Sequence, residues 1–167
     1  GEESLDGGTT WSNVANTTTI LGYSNLTQNT SYRALLQNCT PSYTSAVTIN
    51  VDKAPIGGTI TGATSVCGGA NNGALTLTGS SGAIVRWEMS TDGGNNWMSI
   101  NNTQPSLVYN NVAVTTQYRV LVHNGACADV YSATAQLTTL TASNGGRGSG
   151  GGTTVCSGAK AGSHFSS

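Results

Sequence analysis

The stretch Ser90-Thr91-Asp92-Gly93-Gly94-Asn95-Asn96-Trp97 indicates the fold, because a similar stretch occurs earlier in the chain. The first copy, Ser4-Leu5-Asp6-Gly7-Gly8-Thr9-Thr10-Trp11, lies 86 residues earlier, and the same spacing carries Tyr32-Arg33 to Tyr118-Arg119. A period of this length is typical of a small β-sandwich domain and is far longer than a propeller blade or a solenoid turn. The repeat therefore predicts that each copy is a domain.

Toward the C-terminus the spacing lengthens to 89 residues, where Thr64–Ala70 returns as Thr153–Ala159. We predict three segments: the C-terminal part of an Ig-like module at 1–53, a complete Ig-like module at 54–141, and a linker with the N-terminal strand or strands of a next module at 142–167. Two alternatives stay open for the end segments. Either the chain is a window from a longer tandem array, or the two ends complete each other, in cis or between subunits.

Composition narrows the fold and function classes. Only 8% of the 167 residues are charged, the net charge is -1 and the mean hydropathy is -0.14. There is no basic surface for nucleic acid and no apolar run long enough to insert into a membrane. Because the chain has 23 Gly and is rich in Thr, Ser and Asn, long helices are disfavoured. We predict an all-β chain of tandem Ig-like or fibronectin-like β-sandwich modules, one complete and one split or truncated.

Alternating apolar and polar residues locate the core of the complete copy. The alternation predicts one inward-facing set of side chains: Val85, Trp87, Met89, Tyr118, Val120 and Val122. Leu75 and Leu77 indicate an earlier strand. We expect Trp87 and Tyr118 to anchor the core.

Both copies of the quoted stretch fit S-x-D-x-G-x-x-W, which resembles the Asp-box of sialidases and other β-proteins. The resemblance implies a structural hairpin turn, in which the aspartate bonds backbone amides, glycine takes a positive φ and tryptophan packs beneath. The predicted turn residues are Ser4, Asp6, Gly8, Trp11, Ser90, Asp92, Gly94 and Trp97. A role in binding calcium or sugar is the alternative reading of these turns.

The four cysteines lie far apart, without a CxxC pair or a nearby histidine, which favours disulfides over zinc. We predict a Cys67–Cys127 bond inside the complete module. Cys39–Cys156 is the predicted second bond if the ends meet, in cis or between subunits, and two unpaired thiols are the alternative. Disulfides favour an extracellular location.

Catalytic chemistry is not indicated. His123 and His164 do not cluster in the sequence with a hydroxyl and a carboxylate, and no spacing of acidic residues proposes an acid and base pair. We predict that the chain is not an enzyme and holds neither a metal nor a cofactor.

Several motifs in a fixed order resemble the tandem Ig-like repeats of large secreted surface proteins of the Bacteroidota, including adhesin-like and gliding-associated proteins. They are Gly57-Gly58-Thr59-Ile60, Val66-Cys67, Trp87-Glu88, Tyr118-Arg119-Val120 and Asn124-Gly125. The resemblance implies a secreted stalk or fibre at the cell surface.

The sequence therefore predicts a structural repeat segment of an extracellular filament or cell-surface adhesin. Its expected partners are copies of itself or neighbouring repeat modules, joined by strand complementation, and surface glycans. The alternative function is a carbohydrate-binding module of a secreted enzyme, with Trp97 or Tyr131 as an exposed stacking platform.

Overall fold

The computed structural model describes residues 1–141 and Cys156. These residues form strands and contain no helix. The chain divides into two compact units, Gly1–Lys53 and Ala54–Ser167. The predicted all-β class of Ig-like or fibronectin-like β-sandwich modules is confirmed.

The first unit contains six short strands. They are β1 (Glu2–Ser4), β2 (Ser12–Asn13), β3 (Thr30–Arg33), β4 (Leu35–Leu36), β5 (Ser42–Tyr43) and β6 (Val47–Ile49).

The second unit contains nine strands among its described residues. They are β7 (Thr59–Thr61), β8 (Ser65–Cys67), β9 (Asn72–Thr78), β10 (Ala83–Ser90), β11 (Met98–Ile100), β12 (Ser106–Asn110), β13 (Thr116–His123), β14 (Val130–Tyr131) and β15 (Ala135–Leu140).

Two sheets form the sandwich of the second unit. One has the strand order β12-β9-β7, and the other has the order β11-β10-β13-β15-β8 with β14 also paired to β13. Every pair is antiparallel except β8 with β15, which run parallel. Two sheets with apolar inner faces bury those faces against each other, which is the arrangement of Ig-like and fibronectin-like modules.

The core lies between these sheets. Trp87 is fully buried and donates its indole N–H to the Gln104 carbonyl at 2.8 Å, and Tyr118 is only 4% exposed. The buried cluster consists of Leu75, Leu77, Trp87, Tyr109, Tyr118, Val120, Val122 and Leu137.

One residue of the expected inner face is displaced by a β-bulge. The pairing of β10 with β13 shifts between Ile84 and Arg86, so that Val85 is the extra residue. Val85 is 38% exposed, and Ile84 packs against the core instead. The alternation read from the sequence was therefore wrong at Val85, because a bulge inverts the inward and outward pattern beyond it.

The first unit repeats one sheet of the second. Its strand order is β2-β1-β3-β6, which matches β11-β10-β13-β15, and its hairpin β4-β5 matches the pairing of β13 with β14. Residues Ile20–Ser24 correspond to β12 but form no strand. Residues 1–53 contain no counterpart of β9 that could pair with them.

Candidate functional site

The turn after β10 is held by its own side chains. The backbone N–H of Gly94 donates to Ser90 Oγ at 2.9 Å, and Ser90 Oγ–H donates to Asp92 Oδ1 at 2.7 Å. Asn96 donates its backbone N–H to Asp92 Oδ1 at 2.9 Å and its side-chain amide to Asp92 Oδ2 at 2.7 Å. The Asp92 carboxylate thus binds donors of the same turn.

These hydrogen bonds fix the charge of the turn and the conformation of its glycines. Bonds from Asn96 and Ser90 lower the pKa of Asp92 to about 2, because each of them favours the ionised carboxylate. Gly93 and Gly94 have φ values of 74° and 89°, which glycine adopts without steric cost.

The turn after β1 repeats this geometry. Gly8 N–H donates to Ser4 Oγ at 2.8 Å, and Ser4 Oγ–H donates to Asp6 Oδ1 at 2.8 Å. Thr10 takes the place of Asn96, since its hydroxyl donates to Asp6 Oδ2 at 2.6 Å. Hydrogen bonds from Thr10 and Ser4 hold the pKa of Asp6 well below its ordinary range.

Each turn also orients a tryptophan. Trp97 donates its indole N–H to the Gly94 carbonyl at 3.0 Å, and Trp11 donates to the Gly8 carbonyl at the same distance. The eight residues of the two S-x-D-x-G-x-x-W motifs therefore lie in two equivalent turns. Across residues 1–141 and Cys156, no group of three His, Cys, Asp or Glu side chains is placed to hold a metal ion.

An arginine stack, in which Arg119 lies between the rings of Trp97 and Tyr131, occupies the outer face of the second unit. The Arg119 guanidinium lies 4.0 Å from the centroid of the Trp97 ring and 3.8 Å from that of Tyr131. Its NH2 group is 2.8 Å from Glu88 Oε1, and the Tyr131 hydroxyl donates to Glu88 Oε2 at 3.2 Å. A planar cation between two aromatic faces combines cation–π attraction with a salt bridge.

Glu88 is the buried anion of this stack, with 4% exposure. Burial raises the pKa of Glu88, but hydrogen bonds from Arg119, Arg86 and Tyr131 together outweigh it and lower the pKa. Arg86 donates its Nε–H to Glu88 Oε2 at 2.7 Å. The carboxylate stays ionised because three donors surround it.

The first unit carries the same arginine stack. Arg33 lies 4.0 Å from the centroid of the Trp11 ring and 3.8 Å from that of Tyr43, and its NH2 group is 2.6 Å from Glu2 Oε2. The Tyr43 hydroxyl donates to Glu2 Oε1 at 3.1 Å. Each arginine stack therefore links neighbouring strands through side chains on their outer faces.

The arginine stacks were not predicted from the sequence, although the residues that form them recur in it. Glu2 and Arg33 return 86 residues later, and Tyr43 returns 88 residues later as Tyr131. Polar residues at repeat-equivalent positions form a cross-strand contact only where their strands pair, so the repetition marked these residues without showing which of them touch.

The disulfide differs from both predicted bonds. Cys67 is bonded to Cys156, with their Cα atoms 5.3 Å apart. The prediction of a Cys67–Cys127 bond and that of a Cys39–Cys156 bond were therefore wrong. Cys39 is an exposed thiol, and Cys127 is half-buried.

Strand order explains the correction. β8 runs parallel with β15, which places Cys67 opposite Leu140 at the end of β15. Strand β15 pairs with the start of β13, since Leu137 lies opposite Thr116 and Leu140 lies three residues further on, whereas Cys127 follows the other end of β13. The eight residues of β13 span roughly 23 Å, so the two sulfurs cannot meet.

Among the described residues, no helix has both the length and the apolar character needed to cross a membrane.

Comparisons with known proteins give a family and a distant structural likeness. The chain is similar to the crystal structure of chicken CNTN1 FN1-FN3 domains, with 20% sequence identity and a TM-score of 0.31. That likeness covers 70% of this chain and 46% of the chicken chain, so less than half of the solved structure is spanned. Comparison with curated proteins gives no match. The profile of one family matches residues 2–53 and 56–141, and the chain therefore belongs to the family described as Domain of unknown function (DUF8696).

Proposed function

We propose that this chain is a load-bearing structural segment of an extracellular filament or cell-surface adhesin, similar to the tandem Ig-like repeats of large secreted Bacteroidota proteins. The observation that carries the proposal is the bond between Cys67 and Cys156. The two cysteines are 89 residues apart and occupy equivalent positions of successive repeats. The bond thus spans one whole period of the repeat.

A bond across one period changes the path of mechanical force. Tension applied along the chain enters strand β8 at Cys67 and leaves at Cys156, and the covalent bond carries it between them. Strands β9 to β15 and the core from Leu75 to Leu137 lie inside the bridged loop. Noncovalent contacts inside that loop are shielded from the load, which suits a module in a stretched fibre.

The proposed location follows from the same bond. Structural disulfides persist in oxidising compartments and on cell surfaces, and are rare in the cytosol. We propose neighbouring repeat modules and other copies of the chain as partners, and a structural rather than catalytic role.

Single-molecule force extension of the whole chain, held by handles at its two ends, tests the proposal. We expect the oxidised chain to yield without releasing the residues between Cys67 and Cys156. The variant Cys156→Ser should add roughly 30 nm of contour length, because 89 extended residues become available. Cys39→Ser is the matched control and should behave like the unmodified chain. Equal contour lengths for the oxidised chain and Cys156→Ser would contradict the proposal.

The carbohydrate-binding alternative is less well supported. Tyr131 is 41% exposed, but the Arg119 guanidinium already covers one face of the Tyr131 ring and one face of the Trp97 ring. Binding on a glycan array that is lost in Tyr131→Ala would favour this alternative over the structural role.

A further inference from the structure

The inner face of the sheet in the first unit is uncovered. Tyr23 is 57% exposed, whereas its equivalent in the second unit, Tyr109, is 7% exposed. Leu36, in the hairpin β4-β5 that follows β3, is 50% exposed, whereas its equivalent Val122 is fully buried. Val47, which pairs with Tyr32 on the same face, is 63% exposed. Large apolar side chains grouped on one face are characteristic of an interaction surface.

This face contains an open groove of about 420 Å³, lined in part by Leu21, Tyr32, Leu36 and Val47. Gly1 also lines the groove and stands at the position equivalent to Trp87. In the second unit the fully buried Trp87 ring fills this place.

In the second unit, apolar side chains of a second sheet cover the equivalent face. There the sheet β12-β9-β7 lies over it, and strand β9 contributes Leu75 and Leu77, which are 0% and 5% exposed. Strand β9 pairs with β12 so that Leu107 lies opposite Leu75 and Tyr109 opposite Gly73. The Tyr109 ring lies directly against Gly73, where no side chain would fit.

We propose that the uncovered face of the first unit binds an extended segment of the β9 type, supplied by a neighbouring repeat. This inference rests on the proposed function, because the partner is another repeat of the same kind. The segment pairs with residues Ile20–Ser24, which hold the place of β12. The register follows from the second unit: Leu21 faces the position of Leu75, and Tyr23 covers the glycine position of Gly73. Main-chain pairing gives affinity, and the apolar side chains give specificity.

The probe is a synthetic peptide with the sequence of residues 56–82, carrying Cys67→Ser, added to the whole isotope-labelled chain. We expect NMR shifts at Leu21, Tyr23 and Leu36. A peptide with Leu75→Asn and Leu77→Asn should bind about tenfold more weakly or worse, because it lacks the apolar side chains that fill the groove. A peptide with Gly73→Ile should lose binding to a similar extent, because the new side chain occupies the place of the Tyr23 ring.

A matched pair of protein variants tests where the peptide binds. Val47→Glu should weaken peptide binding, whereas Val108→Glu, at a position 74% exposed in the second unit, should leave it unchanged. The peptide variants keep the test decisive if Val47→Glu disturbs folding, since they leave the protein intact.

Three results would overturn the inference: no binding, equal binding of the original and asparagine peptides, or shifts confined to the second unit. None of them bears on force transmission through Cys67–Cys156. Conversely, equal contour lengths in the force-extension experiment, together with specific peptide binding, would reject the load-bearing role. The proposal that this face binds a β9-type segment would then still stand.

Discussion

Arg33 and Arg119 occupy equivalent positions in the two units, and each guanidinium is stacked between a tryptophan ring and a tyrosine ring. Each also binds a glutamate on the neighbouring strand. Because equivalent residues form the same contact in both copies, the arginine stack is a structural feature of the repeat. Its position on the outer face means that it stabilises the sheet without entering the core.

Arg119→Lys should destabilise the second unit by about 1–2 kcal/mol in urea unfolding. A lysine ammonium keeps the charge but cannot place a flat group between two rings. Arg86→Lys is the control, because Arg86 binds Glu88 without belonging to the ring sandwich. Unchanged stability of Arg119→Lys would show that the stack is incidental.

Stability should fall in acid as Asp92 is protonated. The folded pKa of Asp92 is about 2, below its ordinary value of about 3.9. The contribution of this carboxylate is therefore complete above about pH 4 and is lost as the pH falls through 2. Thermal unfolding followed by circular dichroism should show Asp92→Asn to be less stable at pH 6, with the difference narrowing toward pH 2. Asp129→Asn, outside the turn, serves for comparison, and a gap independent of pH would refute the assignment.

Gly73→Ala should destabilise the second unit by about 1–3 kcal/mol, the range of overpacking. The added methyl group would overlap the ring of Tyr109, which is 7% exposed and has little room to move. Gly22→Ala is the matched control, because nothing lies within 4 Å of its Cβ position. Thermal unfolding of the two variants compares them, and equal melting temperatures would count against the close packing of strands β9 and β12.

Periodicity predicted the parts of the fold that depend on local pattern. Trp87 and Tyr118 lie in the core because alternation places them on one face of paired strands. The outward position of Val85 was not predicted, because a bulge depends on the register of two strands rather than on the sequence of one of them. Cys127 was misassigned because pairing requires spatial proximity, which the parallel contact of β8 with β15 determines.

The contacts of the arginine stack could not be predicted from the sequence for the same reason as the disulfide. Glu88, Arg119 and Tyr131 come from three strands, and only the strand order brings them together. Their repetition was visible in the sequence, but repetition alone does not state which residues touch.

Cys156→Ser should cost roughly 4–5 kcal/mol of stability, the chain-entropy value for opening a loop of 89 residues. Cys39→Ser should cost far less, because Cys39 is exposed. Urea unfolding of the two variants under oxidising conditions measures the difference. Equal stabilities would mean that the bond does not constrain the unfolded chain.

The most direct test of the proposed path of force is tryptic peptide mapping by mass spectrometry without reduction. Cleavage after Arg33, Lys53, Arg86, Arg119, Arg147 and Lys160 places the four cysteines in four separate peptides. We expect one linked pair, in which residues 54–86, with Cys67, are joined to residues 148–160, with Cys156. A link from residues 54–86 to residues 120–147 would instead join Cys67 to Cys127, remove the bond that spans one repeat, and contradict the proposed path of force.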